Sequence, residues 1–506
     1  MNDTASDSKI ISKRLKVGLE IHVELQTRSK MFTRTPNVAH PDFENSAPNT
    51  LVDPVVAALP GTLPVMNRAA VEMSMLVGLS LGCEIARFSK WDRKNYYYPD
   101  LPKGYQISQY DLPLCHDGEF TIRSASGDDR RIGIVRAHLE EDTGKLGHEL
   151  PGGGRFQGSL VDLNRAGTPL LEIVTHPDFD QAQDVVTFGQ DLRQLCRFLG
   201  VTQGVMQRGH MRFEPNINLE MDLEDGRTIC TPIVEVKNLN SFRAVRGAIE
   251  YEYERQESAW REDGRVMGPG AKATRGWDDE KLVTVLQREK EDAHDYRYFP
   301  DPDLVPVIVD DAWIETVRAR LTELPAAKRI RYIDTLGLRA KDVDALLEEP
   351  ETAAYFEKVA MEPASDGDFT GVSKLILNQV AKRSNKAGLS PSRLGTSPAQ
   401  LAGVLELRRL NEMGAQSIDA LLALLEVSDE TAREVAEKAG ILVVLDDSQL
   451  EAWCSAAIEA NEQAADDVRS GKVAALGRLT GHVMKSAKGS ADAKAVQAKL
   501  LEMLQS

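Results

Sequence analysis

No two of the five cysteines, Cys83, Cys115, Cys196, Cys230 and Cys454, form a Cys-x-x-Cys pair, and their number is odd. Scattered thiols of this kind exclude a disulfide framework and a Cys-only zinc site, and read as small buried hydrophobes. No apolar run reaches the length of a membrane span, and Met1 to Lys16 is polar with no apolar signal core. A cytosolic protein without membrane contact is therefore expected. The chain has no Gly-x-x-x-x-Gly-Lys-Ser/Thr loop, and Gly152-Gly153-Gly154 opens no evident helix, so any use of ATP has to run outside a P-loop. It also lacks a Gly-x-Ser-x-Gly elbow and a Cys and His arrangement, which leaves no hydrolase nucleophile in view. Positive charge is short as well. Lys and Arg number 61 against 78 Asp and Glu, a net charge of −17 that counts against a uniformly basic nucleic-acid surface.

What is present is unevenly placed. At 506 residues the chain is too long for one core, and 42% hydrophobic content is ordinary for a folded protein, so two or three domains are expected. Lys16 to Leu25 alternates with period two, setting Glu20, His22 and Glu24 on one face of a strand and Leu19, Ile21, Val23 and Leu25 on the other. An imidazole between two carboxylates suits a metal or phosphate edge; taken alone, the triplet also fits an exposed polar face. Arg136 to Lys145 contains Glu140-Glu141-Asp142, and Leu170 to Val174 is a short apolar strand interrupted by Glu172. A bare carboxylate in such a strand is costly, so Glu172 requires a cation, a metal or good donors beside it. Glu235 and Lys237 share a face of another strand, Ile233 to Ser241, and Arg212 to Leu219 alternates in the same way.

Between these acids lies a basic and aromatic stretch, Phe88 to Leu114, with Tyr96, Tyr97, Tyr98, Tyr105 and Tyr110 among Arg93, Lys94 and Lys103. Its prolines deny it a long helix; it reads as a rigid loop offering stacking surfaces to a nucleotide or a tRNA end, or as aromatic packing of a long loop. A second such segment, His294-Asp295-Tyr296-Arg297-Tyr298-Phe299, lies near residue 300. Three acid clusters on strands (Glu20, His22 and Glu24; Glu140, Glu141 and Asp142; Glu172 with Glu235) can converge on Mg²⁺, with Arg93, Lys94, Lys103, Arg136, Arg165 and Lys237 neutralising phosphate.

From Asp310 onward the periodicity is helical, with a break at Glu362 to Gly371. Two tracts there are basic. One holds Lys374, Lys382, Arg383, Lys386 and Arg393; the other holds Arg469, Lys472, Arg478, Lys485, Lys488, Lys494 and Lys499 against Asp492 alone. They suit a polyanion at one end of the chain, and equally solvated helix faces. The expected fold is mixed α+β. A polar lead-in, disordered, covers residues 1 to 14, a cradle domain on a largely antiparallel sheet with helices covers 15 to 303, an all-helical connector covers 304 to 356, and a helical tail covers 357 to 506.

Read together, Val17–Leu25, Arg93–Leu114, Ile132–Lys145, Ser159–Asp178, Val234–Gln256, Thr274–Trp277, Asp292–Leu304 and the C-terminal Asn461–Gly489 resemble the B subunits of the tRNA-dependent amidotransferases. That resemblance implies a carbon–nitrogen ligase that takes its amide nitrogen from glutamine. ATP phosphorylates the side-chain carboxylate of Glu-tRNA(Gln) or Asp-tRNA(Asn). Ammonia channelled from the amidase (A) subunit then attacks the acyl phosphate, and the small C subunit holds the pair together. By the same resemblance Glu20, His22, Glu140, Glu141, Asp142 and Glu172 are catalytic. Glu20, His22, Glu140, Glu172 and Glu235 hold the metal, and Lys94, Tyr96, Lys103, Arg136 and Lys237 surround ATP. Lys382, Arg383, Lys386, Arg469, Lys472, Lys485 and Lys488 meet tRNA.

The sequence departs from the family at two places. Thr33-Arg34-Thr35 and Asp53-Pro54-Val55-Val56 stand where many members carry zinc-binding Cys pairs, so no structural zinc is expected. Glu214 stands where the family usually has Asp. Two other readings fit the residues: a non-catalytic tRNA-binding scaffold, and an ATP-dependent ligase acting alone on a small carboxylic acid.

Overall fold

The computed structural model describes residues 9–150, 153–289, 296–442, 447–470, 472–487 and 493–505. Two compact units meet in sequence between Leu324 and Pro325. The first begins with β1 (Ile10–Glu24), α1 (Arg68–Ser80), the short β2 (Glu84–Ile85) and β3 (Phe88–Ser89), β4 (Asp92–Asn95) and β5 (Tyr105–Ser108). Then come β6 (Cys115–Arg123), β7 (Asp129–Glu141), β8 (Lys145–Glu149), β9 (Arg155–Asp162) and β10 (Pro169–Thr175). Next are α2 (Ala182–Phe198), β11 (Met211–Leu223), β12 (Thr228–Cys230), β13 (Val234–Lys237), α3 (Phe242–Asp263), β14 (Ala273–Asp278) and β15 (Val283–Glu289). β16 (Phe299–Pro300), β17 (Val307–Ile308) and α4 (Asp311–Arg318) complete it.

Among the described residues thirteen strands form one sheet, whose main path runs β15-β14-β13-β11-β1-β10-β7-β5-β4-β16. β13 and β14 are parallel, whereas β1, β7, β10 and β11 pair antiparallel, as a largely antiparallel cradle requires. The alternation read in β1 explains why the sheet has two unlike faces. Val17, Leu19, Ile21 and Val23 join Leu171, Ile173, Ala137, Leu139 and Phe213 in a buried core, against which Val185, Phe188 and Leu192 of α2 and Val245, Ala248 and Ile249 of α3 pack. The even-numbered residues of β1 are left on the other face. Ser241 starts α3 by accepting a hydrogen bond from the backbone of Ala244 at 3.1 Å, a cap worth about 1 kcal/mol.

The structure corrects three expected boundaries. Residues 10–14, expected in a disordered lead-in, belong to β1, because Ser12 and Arg14 donate to Asp222 and Glu220 on β11 at 2.5–2.8 Å; residues 1–8 lie outside the described residues. The chain from 304 to 324, expected in the connector, belongs to the first unit. Ile314 and Val317 of α4 enter its core, and Trp313 Nε1 donates to Glu72 on α1 at 3.0 Å. The expected break between 356 and 357 falls inside the continuous helix Pro350–Met361. The basic-aromatic loop also contains β4 and β5, whose pairing sets Lys94 opposite Gln106.

The second unit is helical among its described residues. Capping boxes at Ser397 with Gln400 and at Thr431 with Glu434 start two of its helices. Leu450, Leu479, Val483, Val496 and Leu500 form a core near its C-terminus. Among the described residues no helix is long and apolar enough to cross a membrane.

Candidate active site

Antiparallel register turns the polar face of the sheet into rows. Arg212, His22, Glu172 and His138 lie side by side across β11, β1, β10 and β7. Glu214, Glu20, Val174 and Arg136 form the next row on the same strands, and Glu24, Leu170, Glu140 and Ser108 a third across β1, β10, β7 and β5. Residues from four strands distant in sequence thereby meet around one imidazole. His22 Nε2 is 3.4 Å from Glu172 Oε2, 3.7 Å from Glu140 Oε1 and 3.7 Å from Glu20 Oε1. Arg136 and His138 each approach Glu172 at 3.8 Å. On the β11 side, Lys237 Nζ lies 2.5 Å from Glu214 and 3.1 Å from Glu235.

So many acids in one place cannot all be charged alike. Burial, reinforced by Glu172, pushes Glu20 up to about 7, and burial raises Glu140 despite Lys94. Glu172 goes the other way. Burial opposes its charge, but His138, the hydrogen bond from His22 and Lys94 hold it well below the usual carboxylate range. Burial likewise opposes charge on His22, yet Glu172 and Glu214 lift the imidazole to about 9. Burial takes His138 down to about 4. His22 Nδ1 and Glu140 Oε2 are buried with no hydrogen-bond partner. Such a donor set is balanced by a cation. Two groups, Glu20 with His22 and Glu214, and His22 with Glu140 and Glu172, present ligand atoms all within 4.8 Å of one another. Carboxylate oxygens fit a divalent ion that keeps part of its water shell, and an ion bound there would displace the proton that the acids otherwise hold on His22, freeing the imidazole to join them.

These acids floor a cleft of about 360 Å³. Its walls carry the cations Lys94, Arg136, Lys237 and Lys272 and the rings of Tyr110, Tyr296 and Tyr298. Tyr110 and Tyr298 stack at 4.1 Å between centroids and 13° between planes. Burial raises Lys94's neighbour Tyr298 to about 12, so its phenol keeps its proton. A floor of acids that can bind a metal beneath cationic and aromatic walls can hold a polyphosphate and set its terminal phosphorus against a second anion.

The structure brings Glu20, His22, Glu140, Glu172, Glu235, Lys94, Arg136 and Lys237 to this place. Glu141, Asp142 and Lys103 lie elsewhere, and Tyr96 reaches the cleft wall only through its ring, 6.1 Å from that of Tyr296. Glu141 points to the opposite face of β7, where it pairs with Lys103 and accepts from the backbone of Ile107 at 3.0 Å, so both residues are engaged away from the cleft. Asp142 lies between Arg212, at 2.9 Å, and Arg165, at 3.6 Å. Those two arginines overcome burial and hold Asp142 down to about 2, while Glu24 beside it is pushed up to about 8 by burial and Asp142. The Tyr96 hydroxyl bonds Gln106 at 3.2 Å, and Arg93 is taken by Asp301 and Asp303. Glu214, Lys272, Tyr110 and Tyr298 are site residues that sequence reasoning did not assign. For Glu214 the signal was the alternation of its strand; for Tyr298 it was the basic-aromatic segment, whose His294 and Asp295 lie outside the described residues.

The basic residues expected at the tail divide similarly. Lys382, Lys386 and Lys485 are exposed. Arg383 is closed onto Glu426 and Asp419, at 2.5 and 3.1 Å. Arg469 pairs with Asp466 and Lys472 with Asp467. Lys488 lies outside the described residues.

A family model described as the GatB/GatE catalytic domain matches residues 15–315, and one described as the GatB domain matches residues 354–504. Relatives of similar length extend the likeness over nearly the whole chain. The aspartyl/glutamyl-tRNA(Asn/Gln) amidotransferase B subunit from Rhodopirellula baltica is 40% identical over 490 residues, 96% of each chain. Those of Moorella thermoacetica and Thermobifida fusca are both 42% identical, over 96% of this chain and 99% and 93% of theirs. A polar sheet face carrying a metal-competent acid cluster, followed by a helical unit, thus belongs to a chain matched to these relatives nearly from end to end, and the chain is a member of the family of aspartyl/glutamyl-tRNA(Asn/Gln) amidotransferase B subunits.

Proposed function

We propose that the cleft over Glu20, His22, Glu140 and Glu172 activates the side-chain carboxylate of Glu-tRNA(Gln) or Asp-tRNA(Asn) with ATP and converts it to the amide. The observation that carries this reading is His22 ringed by three carboxylates within 3.7 Å, under walls bearing Lys94, Arg136 and Lys237. A carboxylate resists attack by ammonia because its oxide is a poor leaving group. Its oxygen attacks the γ-phosphorus of ATP, ADP departs, and the acyl phosphate that results carries a good leaving group. Ammonia then adds to the acyl carbon, inorganic phosphate leaves with the bonding electrons, and a proton is lost from nitrogen.

A Mg²⁺ held by Glu20, Glu140 and Glu172, with His22 and Glu235 beside them, supplies charge neutralisation and alignment of the phosphates when bound. Lys94, Arg136 and Lys237 neutralise phosphate oxygens, and Glu172, kept ionised, orients His22. The ammonia comes from glutamine hydrolysed by the amidase (A) subunit, and a small C subunit makes up the rest of the complex. The helical unit holds the tRNA through exposed cations such as Lys382, Lys386 and Lys485. The loop after β1 has no thiolates to offer a zinc ion. There Thr33 Oγ1 donates to Asp53, whose other oxygen accepts from the backbone of Val56 at 2.9 Å.

The test is ATP-dependent amidation of Glu-tRNA(Gln) and Asp-tRNA(Asn) by this chain together with the A and C subunits. Glu140→Gln should lower the amidation rate by more than about 100-fold while the partner's glutaminase activity persists. Undiminished amidation by that variant rules the cleft out as the reaction centre.

A further inference from the structure

The segment Tyr296 to Pro300 is held against β4 more firmly than a connecting loop requires. Phe299 pairs with Arg93 in the sheet, and Asn95 Nδ2 donates to the carbonyls of Arg297, at 2.7 Å, and Tyr296, at 3.4 Å. Arg93 anchors the far end through Asp301 at 2.7 Å and Asp303 at 2.9 Å. Within this clamp Arg297 takes φ +45°, a left-handed conformation that a long side chain seldom adopts. Strain imposed by surrounding contacts marks a segment whose side chains are being aimed.

Tyr298 is what the clamp aims. Its ring is fixed between the stacked face of Tyr110, at 4.1 Å, and the edge of Tyr296, at 6.2 Å. Tyr296 in turn is bracketed by Lys94 Nζ, 5.3 Å from its centroid, and by Tyr96, at 6.1 Å. Rings locked on both sides leave the phenol with little rotational freedom. Tyr298 lines the cleft together with Lys94, Glu140 and Glu172. Among the described residues the hydroxyls of Tyr298, Tyr110 and Tyr296 make no hydrogen bond, whereas the Tyr96 hydroxyl is spent on Gln106 and the Tyr355 hydroxyl on the carbonyl of Thr396; of the three, Tyr298 is the one with one ring stacked on its face and a second set edge-on. A stacked phenol in the lining of this cleft has a donor to offer a bound anion.

We propose that Tyr298 is a catalytic residue of this cleft, its phenol donating a hydrogen bond to an oxygen of the carboxyl–phosphoryl group as phosphate moves onto the substrate carboxylate. The assignment rests on the reading of the cleft given above. Cations around the same group add positive charge along with their hydrogen bonds; a phenol held by stacking adds one directed donor and leaves the net charge of the site unaltered. The donor favours the state in which charge has moved onto the transferring oxygens. Its loss therefore falls on turnover rather than on nucleotide affinity.

The experiment is Tyr298→Phe in the full complex with the A and C subunits, assayed for ATP-dependent amidation of Glu-tRNA(Gln). Phenylalanine keeps the stack with Tyr110 and removes only the hydroxyl. The expected result is a fall in kcat of about 10- to 100-fold, with KM for ATP and for tRNA changed less than about threefold and the melting temperature unchanged. A wild-type kcat overturns the proposal, and so does a fall in kcat matched by an equal loss of thermal stability, which assigns the residue to packing. A rise in KM for ATP at constant kcat overturns it too, because the ring then serves to bind the nucleotide. Glu140→Gln in the same assay separates the two claims. If it is inactive while Tyr298→Phe is not, only the role of Tyr298 fails; if both turn over normally, the cleft itself is wrong.

Discussion

Asp142 and Lys30 show how single buried charges are made tolerable in this chain. Asp142 stays ionised because Arg165 and Arg212 converge on it. Asp142→Asn should destabilise the first unit by roughly 3–5 kcal/mol, because breaking one side of a buried pair strands the other. Urea unfolding checks this, and a loss under about 1 kcal/mol contradicts the structural role. Lys30 is fully buried in the loop after β1 and donates to the carbonyls of Leu51 at 2.7 Å and Leu163 at 3.2 Å. Burial takes its ammonium down to about 8 against the attraction of Asp53, Asp162 and Glu141. A cation whose folded pKa lies below its unfolded value of about 10.4 carries a penalty that is complete below pH 8 and relieved as pH rises towards 10.4. The stability of the wild type relative to Lys30→Met should therefore rise by roughly 3 kcal/mol between pH 8 and 10.4, and paired unfolding curves across that window measure it. A flat difference contradicts the burial argument.

At the scale of elements, the site depends on helices α2 and α3 pressing on the back of the sheet. Gly189 in α2 makes that possible, since a Cβ there would stand 2.6 Å from the Phe242 ring and 3.2 Å from Phe213 on β11. Gly189→Val should cost about 1–3 kcal/mol by overpacking. It should also loosen β11, which carries Glu214 and Arg212, and so weaken metal binding. Calorimetry with and without Mg²⁺ tests both effects, and an unchanged melting temperature contradicts the packing argument. β1 was legible as an element because alternation over ten residues has one explanation, and Glu172 was legible because a carboxylate in an apolar strand asks for a partner. Adjacent acids were harder to sort. Glu140, Glu141 and Asp142 look equivalent in sequence, yet the pleat of β7 sends Glu140 to the cleft and Glu141 to Lys103, and Asp142, just beyond the strand, meets Arg212.

For the whole molecule, the net charge of −17 places the burden of binding a polyanion on a few local cations. Lys382 and Lys386 are exposed, whereas Arg383 between them is spent within the second unit on Glu426 and Asp419. Replacing both lysines by glutamate should weaken tRNA binding and flatten its dependence on salt by roughly two counterions, as each lost phosphate contact removes about one. Binding isotherms at several salt concentrations read this directly. Arg383→Glu should instead lower the melting temperature of the second unit, because it replaces one partner of an internal pair. Equal salt slopes for the double-lysine variant and the wild type contradict a tRNA role for that tract.

The order of residues by itself determined that this chain has a sheet with one polar face, a helical second half, and acids and cations in a pattern found in the amidotransferase B subunits. Those properties are local, because periodicity, turn residues and motif spacing act over a few neighbours. Only the tertiary structure decided which acids gather around His22, which arginines are already engaged and which tyrosines line the cleft. At the cleft these outcomes turn on strand register and on partners a hundred residues or more away, as His22 is to Glu140 and Asn95 is to Arg297. No short-range pattern carries that information.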